Sequence, residues 1–257
     1  MLIPEEQFDD VLRQAEQSGW SHLELLDRLF GDQAVQKRER IIQRRIRDAH
    51  FAENKTLESF DWKFNAAAID RAEMEELATG DFIRRGDNLL MVGLSGIGKS
   101  HLLEGIGRRA CLQGYRVRYI TSESLLADLG GSLADGTTPK RLRYFTRPDL
   151  LIIDGFGFDR IEREQCPQGL SLLYKVIEKR GPRRSTALIT NIDFDAWNEY
   201  LDDGPLVMAL LDRLFEKAII KRFPEAKSYR AHQARTSSSP KGRQKTSQKK
   251  RGSSNNG

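Results

Sequence analysis

The sequence predicts an α/β fold: a parallel sheet covered by helices on both faces, preceded by a small helical N-terminal module. Three observations carry this. From residue 87 onward, short apolar runs alternate with longer stretches of helical periodicity, the order that builds strand–helix–strand units and so a parallel sheet. A glycine-rich loop separates the first of these runs from the stretch that follows it. Before residue 55, apolar positions recur at helical spacing with no strand-like run among them.

In chain order, Ser21-His22-Leu23-Glu24 has the form of a capping box, followed at helical spacing by Leu23, Leu25, Leu26, Leu29 and Phe30. Gly31-Asp32 is expected to end that helix, and a second to run from about Gln33 to Glu53. In the second, Ile41, Ile42 and Ile46 fall on one side and most of the arginines on the other. Residues 54–64 read as a connector anchored by Phe60, Trp62 and Phe64. The chain thus divides into a helical module over 1–55, a connector and lead-in helix over 56–86, a sheet domain over 87–232 and a basic tail over 233–257. Strands are expected at Asn88–Val92, Arg116–Ile120, Leu150–Asp154 and Thr186–Thr190, and helices at 98–113, 122–130, 163–180 and 193–201. No internal repeat stands out.

Composition narrows the class. The 257 residues include 42 Lys+Arg and 37 Asp+Glu, are 31% charged and 39% hydrophobic, and are long enough for a substantial core. No window has the 18 or more apolar residues of a membrane span, and MLIPEEQFDD lacks a signal-peptide layout. Cys111 and Cys166 are far apart and have no metal-ligand spacing around them, so a reducing cytoplasm is the expected location, with no membrane association.

The net charge of +5 is unevenly distributed. Residues 1–36 hold eight acids and only Arg13 and Arg28 as bases, whereas Lys37, Arg38, Arg40, Arg44, Arg45 and Arg47 crowd the next eleven positions with Glu39 as the one acid. From Arg235 to Gly257 there are seven bases, no acid and no aromatic, Ile, Leu or Val. Such a tail is expected to be disordered, as a solubilising extension or as an arm that contacts nucleic acid. The rest of the chain carries 35 bases against 37 acids.

Gly93-Leu94-Ser95-Gly96-Ile97-Gly98-Lys99-Ser100 is a G-x-x-x-x-G-K-S loop between the strand NLLMV and the helical HLLEGIGRRACLQ. Glycines let backbone N–H groups turn around phosphates, and the helix N-terminus adds partial positive charge. The chemistry of the pattern is that of ATP with Mg²⁺: Lys99 reaches the β- and γ-phosphates and Ser100 offers its hydroxyl to the metal. A second metal ligand is needed at the end of a neighbouring apolar strand, and Asp154 in Asp149-Leu150-Leu151-Ile152-Ile153-Asp154 supplies it. The carboxylate that commonly follows, and that orients the attacking water, is absent because Gly155 stands there. Asp159, Glu162 and Glu164 are nearby acids, and the spacing selects none of them.

G-K-S-H-L in the loop, D-L-L-I-I-D, S-T-A-L-I-T-N-I-D-F-D-A-W and L-D-R-L followed by S-Y-R occur in this order in IstB-like ATPases, which this sequence resembles over about residues 10–232. These are transposition helper proteins of bacterial insertion sequences, related to the DnaC helicase loader within the P-loop AAA+ superfamily. The W-S-H-L-E-L-L stretch, the Arg-rich helix and T-L-E-S-F-D-W resemble the family's N-terminal DNA-binding module. The resemblance implies that residues 93–101, including His101, bind nucleotide. It also implies that Asn191 lies beside the γ-phosphate, that Arg213 reaches as a finger into the neighbouring subunit's site, and that Arg230 acts as a second sensor of nucleotide. A finger supplied in trans implies a homo-oligomer with nucleotide sites between subunits.

The resemblance further implies double-stranded DNA and the transposase of the same element as partners, with a replicative helicase as the alternative. Lys37, Arg38, Arg40, Arg44, Arg45 and Arg47 would contact phosphates; on charge alone they fit a solvated face equally well. Gly155 departs from the family pattern of Glu or Asp and puts fast hydrolysis in doubt. A third reading is therefore a nucleotide-gated DNA-binding scaffold without turnover.

Overall fold

Residues 5–157, 168–197, 204–224 and 226–232 are described by the structure, a computed structural model. The N-terminal part is a pair of helices, α1 (Glu5–Ser18) and α2 (His22–Ala49). The capping box forms as the sequence predicts: Glu24 N–H donates to Ser21 Oγ at 3.3 Å and Ser21 N–H donates to Glu24 Oε2 at 2.8 Å. The break expected at Gly31-Asp32 does not occur. Helix α2 runs through it for 28 residues and ends at Ala49, with His50 in the left-handed conformation. One glycine costs a helix about 1 kcal/mol relative to alanine. Burial of Leu29 before it and of Ala49 at the far end holds the helix on both sides of that weak point.

The sheet has five parallel strands: β1 (Asn88–Gly93), β2 (Val117–Thr121), β3 (Leu150–Phe156), β4 (Ser185–Thr190) and β5 (Ala218–Phe223), in the order β2-β3-β4-β1-β5. The connector contains a 3-10 turn (Leu57–Ser59), followed by α3 (Arg71–Leu77) and α4 (Asp81–Arg85). Helices α5 (Lys99–Gln113), α6 (Ser122–Ala134), α7 (Thr138–Thr146), α8 (Gly169–Arg180) and α9 (Gly204–Phe215) complete the order. Within the helix expected over 193–201, Phe194–Ala196 form a 3-10 turn and Trp197 is α-helical, while residues 198–201 lie outside the described residues.

Alternate strand residues enter opposite cores, which is why the strands read as unbroken apolar runs. Leu89, Met91, Ile152 and Ile189 face α5 with Ala49, Leu57, Leu103 and Ile106. Leu90, Val92, Leu151, Ile153 and Leu188 face the other side with Leu126, Leu173, Val176 and Leu210. Strand β5 and helix α7 were not expected. Lys221 and Arg222 interrupt the apolar run of β5, which is an edge strand buried on only part of its surface.

Two placements matter for the site. Strand β3, which carries Asp154, is not next to β1; β4 lies between them, so the end of β4 sits between the glycine loop and the aspartate. The second half of α2 is part of the sheet domain's packing, since Ile46 and Phe51 lie against the same core as Ala49 and Leu57. Ile41, expected beside Ile42 and Ile46, is 42% exposed. Among the described residues no helix is long and apolar enough to cross a membrane.

Candidate nucleotide site

The loop Gly93–Ser100 leaves the carboxyl end of β1 and closes on the first turn of α5, where backbone N–H groups are unpaired and anions are favoured. Glycine is required at 98. Its φ is +108°, and a Cβ there would lie 2.7 Å from the Phe60 ring. A cleft of about 600 Å³ opens over the loop, large enough for a nucleotide, and Ser95, Gly96, Ile97, Gly98, Lys99, Ser100 and His101 line one side of it. Leu94 points out, 62% exposed, and contributes through its backbone.

Lys99 is buried, and its ammonium donates to the carbonyls of Gly93 (2.5 Å) and Leu94 (2.8 Å). Burial lowers its pKa to about 8; Asp154 opposes that shift and Arg230 adds to it. A phosphate in the cleft would exchange two neutral acceptors for a charged one.

Ser100 Oγ donates to Asp154 Oδ1 at 3.0 Å. A hydroxyl and a carboxylate at this spacing are hard oxygen donors of the kind Mg²⁺ takes while keeping several waters, so the residues fit the ion that the loop implies. The second oxygen, Asp154 Oδ2, accepts from the hydroxyl of Tyr119 on β2, a residue the sequence did not single out. Burial, followed by the Asp154 charge, pushes the Tyr119 phenol far above its ordinary range.

Beyond Asp154 the strand changes course. The β3–β4 register shifts between Ile153 and Phe156, and Gly155 sits in the bulge at φ +74°, with open space where a Cβ would be. Its carbonyl accepts from Ser122 Oγ at 2.8 Å. Asp159, Glu162 and Glu164 lie outside the described residues. Asn191 follows β4 and Arg230 follows β5, and both line the same cleft.

The wall opposite the loop comes from the connector. Phe60, Phe64 and Asn65 line the cleft, and Asn65 exchanges hydrogen bonds with the backbone of Lys227, donating at 3.0 Å and accepting at 2.9 Å. Tyr229 N–H donates to the Gly96 carbonyl at 2.9 Å, which ties the segment carrying Arg230 to the loop itself. Helix α5 grips the connector from below. Buried Glu104 accepts from the N–H groups of Glu53 (3.3 Å) and Lys55 (3.2 Å), and the His101 ring lies 2.9 Å from the Thr56 carbonyl. Phe60 and Phe64 had been legible as anchors; that they border the cleft had not.

Arg213 is not in the cleft. It lies on α9 at the amino end of β1, where Asn88 Nδ2 donates to its carbonyl at 3.3 Å and Glu216 pairs with it at 3.6 Å. The length of β1, about 20 Å, separates it from the loop, so it cannot serve its own chain's nucleotide. On α2, Lys37, Arg40, Arg44 and Arg47 follow at spacings of three and four and make one exposed stripe. Arg38 is exposed beside it. Arg45 is half-buried, with its guanidinium by Gly114, and stands apart from the stripe. The basic tail from Arg235 lies outside the described residues.

The parallel sheet, the loop on α5 and the paired Ser100 and Asp154 define an ATP-binding P-loop protein of the AAA+ fold. That fold is shared with the DnaC helicase loader (TM-score 0.54, 19% identity, covering 66% of this chain and 97% of that one). It is shared also with the replication initiator DnaA bound to AMPPCP and single-stranded DNA (TM-score 0.52, 20% identity, covering 68% and 51%). The family model "IstB-like ATP binding protein" matches residues 5–237, and the chain belongs to that family. A relative named for ATP binding in insertion sequence IS5376 of Geobacillus stearothermophilus is 34% identical over 215 residues, covering 84% of this chain and 83% of its own. Another, from insertion sequence IS21 of Pseudomonas aeruginosa, is 29% identical over 227 residues and covers 88% and 83%.

Proposed function

We propose that this protein binds ATP with Mg²⁺, oligomerises on double-stranded DNA and assists the transposase of its insertion sequence in selecting a target and transferring strands. The observation that carries this reading is the continuity from α2 to the cleft. The helix with the exposed stripe of Lys37, Arg40, Arg44 and Arg47 runs into a connector whose Phe60, Phe64 and Asn65 border the cleft. Filling the cleft therefore acts on the element that holds the basic helix. Lys99 holds the phosphates, Ser100 and Asp154 hold the metal, and Asn191 and Arg230 read the γ-phosphate of the same chain. Arg213 completes the site of the next subunit, consistent with its distance from its own. Bound Mg²⁺ neutralises charge on the phosphates.

Gly155 favours a second reading, in which the protein is a nucleotide-gated scaffold with little turnover, because no carboxylate follows Asp154 and the backbone there is left-handed. Electron microscopy with ATP and duplex DNA tests the common core of both readings. Multi-subunit particles that need nucleotide and DNA together are expected, and single subunits on DNA regardless of nucleotide would overturn it. Recovery of a replicative helicase in place of a transposase in a pull-down would reassign the partner.

A further inference from the structure

Tyr119 lies behind the cleft wall and makes a contact with Asp154 that its role in packing does not require. It sits on β2, whose neighbour β3 pairs Ile152 with Tyr119 and Asp154 with Thr121, so its ring lies beside the end of β3 and its hydroxyl reaches Asp154 Oδ2. The ring is 6% exposed and packs against Phe51, with centroids 6.2 Å apart at 56°. With Ser100 on Oδ1, both oxygens of Asp154 are engaged, each by a different element. An aspartate's last torsion is broad and two-fold, so a carboxylate held at one oxygen swings; held at both, it presents a fixed edge.

We propose that Tyr119 is a positioning residue of the metal site, fixing Asp154 so that Oδ1 stays turned to Ser100 and the phosphate loop. A metal held by Ser100 and Asp154 would draw on a lone pair of the serine oxygen and on Asp154, and the Tyr119 donation to Oδ2 would add a hold on the carboxylate that comes from neither the loop nor the ion. The inference rests on the reading that Ser100 and Asp154 hold Mg²⁺, and it adds an outer partner to that pair, a kind of support whose loss weakens metal affinity about tenfold or more.

The test uses the full chain and Tyr119→Phe, which deletes one hydroxyl and keeps the ring's packing. Binding of a fluorescent ATP analogue is measured without metal and across Mg²⁺ and Mn²⁺ titrations, with the Mn²⁺ electron paramagnetic resonance spectrum of the analogue complex as a direct view of the ion. Metal-free binding within about twofold of the unaltered protein, a metal midpoint raised about tenfold and a broadened Mn²⁺ spectrum are expected. An unchanged midpoint, or equal loss with and without metal, would overturn the proposal, because a hydroxyl that only satisfies its own burial moves both alike. Asp154→Asn is measured beside it. If that variant leaves the midpoint where it was, the metal reading itself falls; if it shifts the midpoint and Tyr119→Phe does not, the Tyr119 assignment alone falls.

Discussion

On one side of the cleft, the loop from Gly93 to Ser100, the first turn of α5 and buried Lys99 make a continuous wall of donors in which each residue type has an identifiable task. On the other side, β3 reaches the cleft with Asp154 and passes into a bulge at Gly155, which also lines the cleft and leaves a hydrogen atom where a water-orienting carboxylate would stand. The first side needs only to hold phosphate; the second has to move a proton. On the proposed reading, phosphate binding rests mainly on the loop after β1, whereas orienting a water would rest on the end of β3, where Gly155 leaves no carboxylate.

The strongest way to break this contrast is Lys99→Ala. ATP affinity is expected to fall by about 100-fold, equivalent to about 2.7 kcal/mol, through loss of a charge-assisted bond. ATP-dependent assembly on DNA should vanish while salt-sensitive basal DNA binding persists. Equilibrium binding of labelled ATP and gel-shift titrations read the two effects, and an affinity within a few-fold of the parent would show that the loop does not carry the binding.

Next in size is Gly155→Glu. There is room for the side chain, but a left-handed φ costs a non-glycine residue about 1–2 kcal/mol. Phosphate release with DNA present should rise on the order of tenfold, from a parent rate well below about 1 per second, while the melting temperature drops by about 2–8 °C. Loss of stability with no gain in release would place the limit on turnover elsewhere.

The smallest effect sharpens the binding side. Burial lowers the Lys99 pKa to about 8, and phosphate charge would raise it again on binding. Below pH 8 the ammonium is already present and affinity should be flat. Above pH 8 each ATP bound takes up a proton, so affinity should decline toward tenfold per pH unit. Calorimetry in buffers of different ionisation enthalpy measures this proton directly, and the slope should disappear in Lys99→Ala.

What was legible in the sequence follows the same division. The strands β1, β3 and β4 could be read because burial on both faces demands unbroken apolar runs, and the loop because its chemistry allows few residue types at each position. Edge strand β5 was hidden by Lys221 and Arg222, which an edge tolerates. The continuity of α2 was hidden by Gly31, whose local cost is smaller than the packing on either side of it. Tyr119 gave no signal beyond being a polar-tipped ring inside a buried strand, since its partner lies on another strand 35 residues away. The border formed by Phe60, Phe64 and Asn65 depends on a fold-back of the connector over α5, and its sequence showed only that aromatics needed somewhere to go.

The bulge at Gly155 also bears on how this protein can change. Every glycine codon is a single base from a codon for aspartate or glutamate, so the acid is always within one mutational step. An acid at 155 would meet a left-handed backbone that costs it about 1–2 kcal/mol, although the position already lines the cleft and has room for a Cβ. The acid is thus easy to reach in the DNA and is opposed by a single left-handed backbone position.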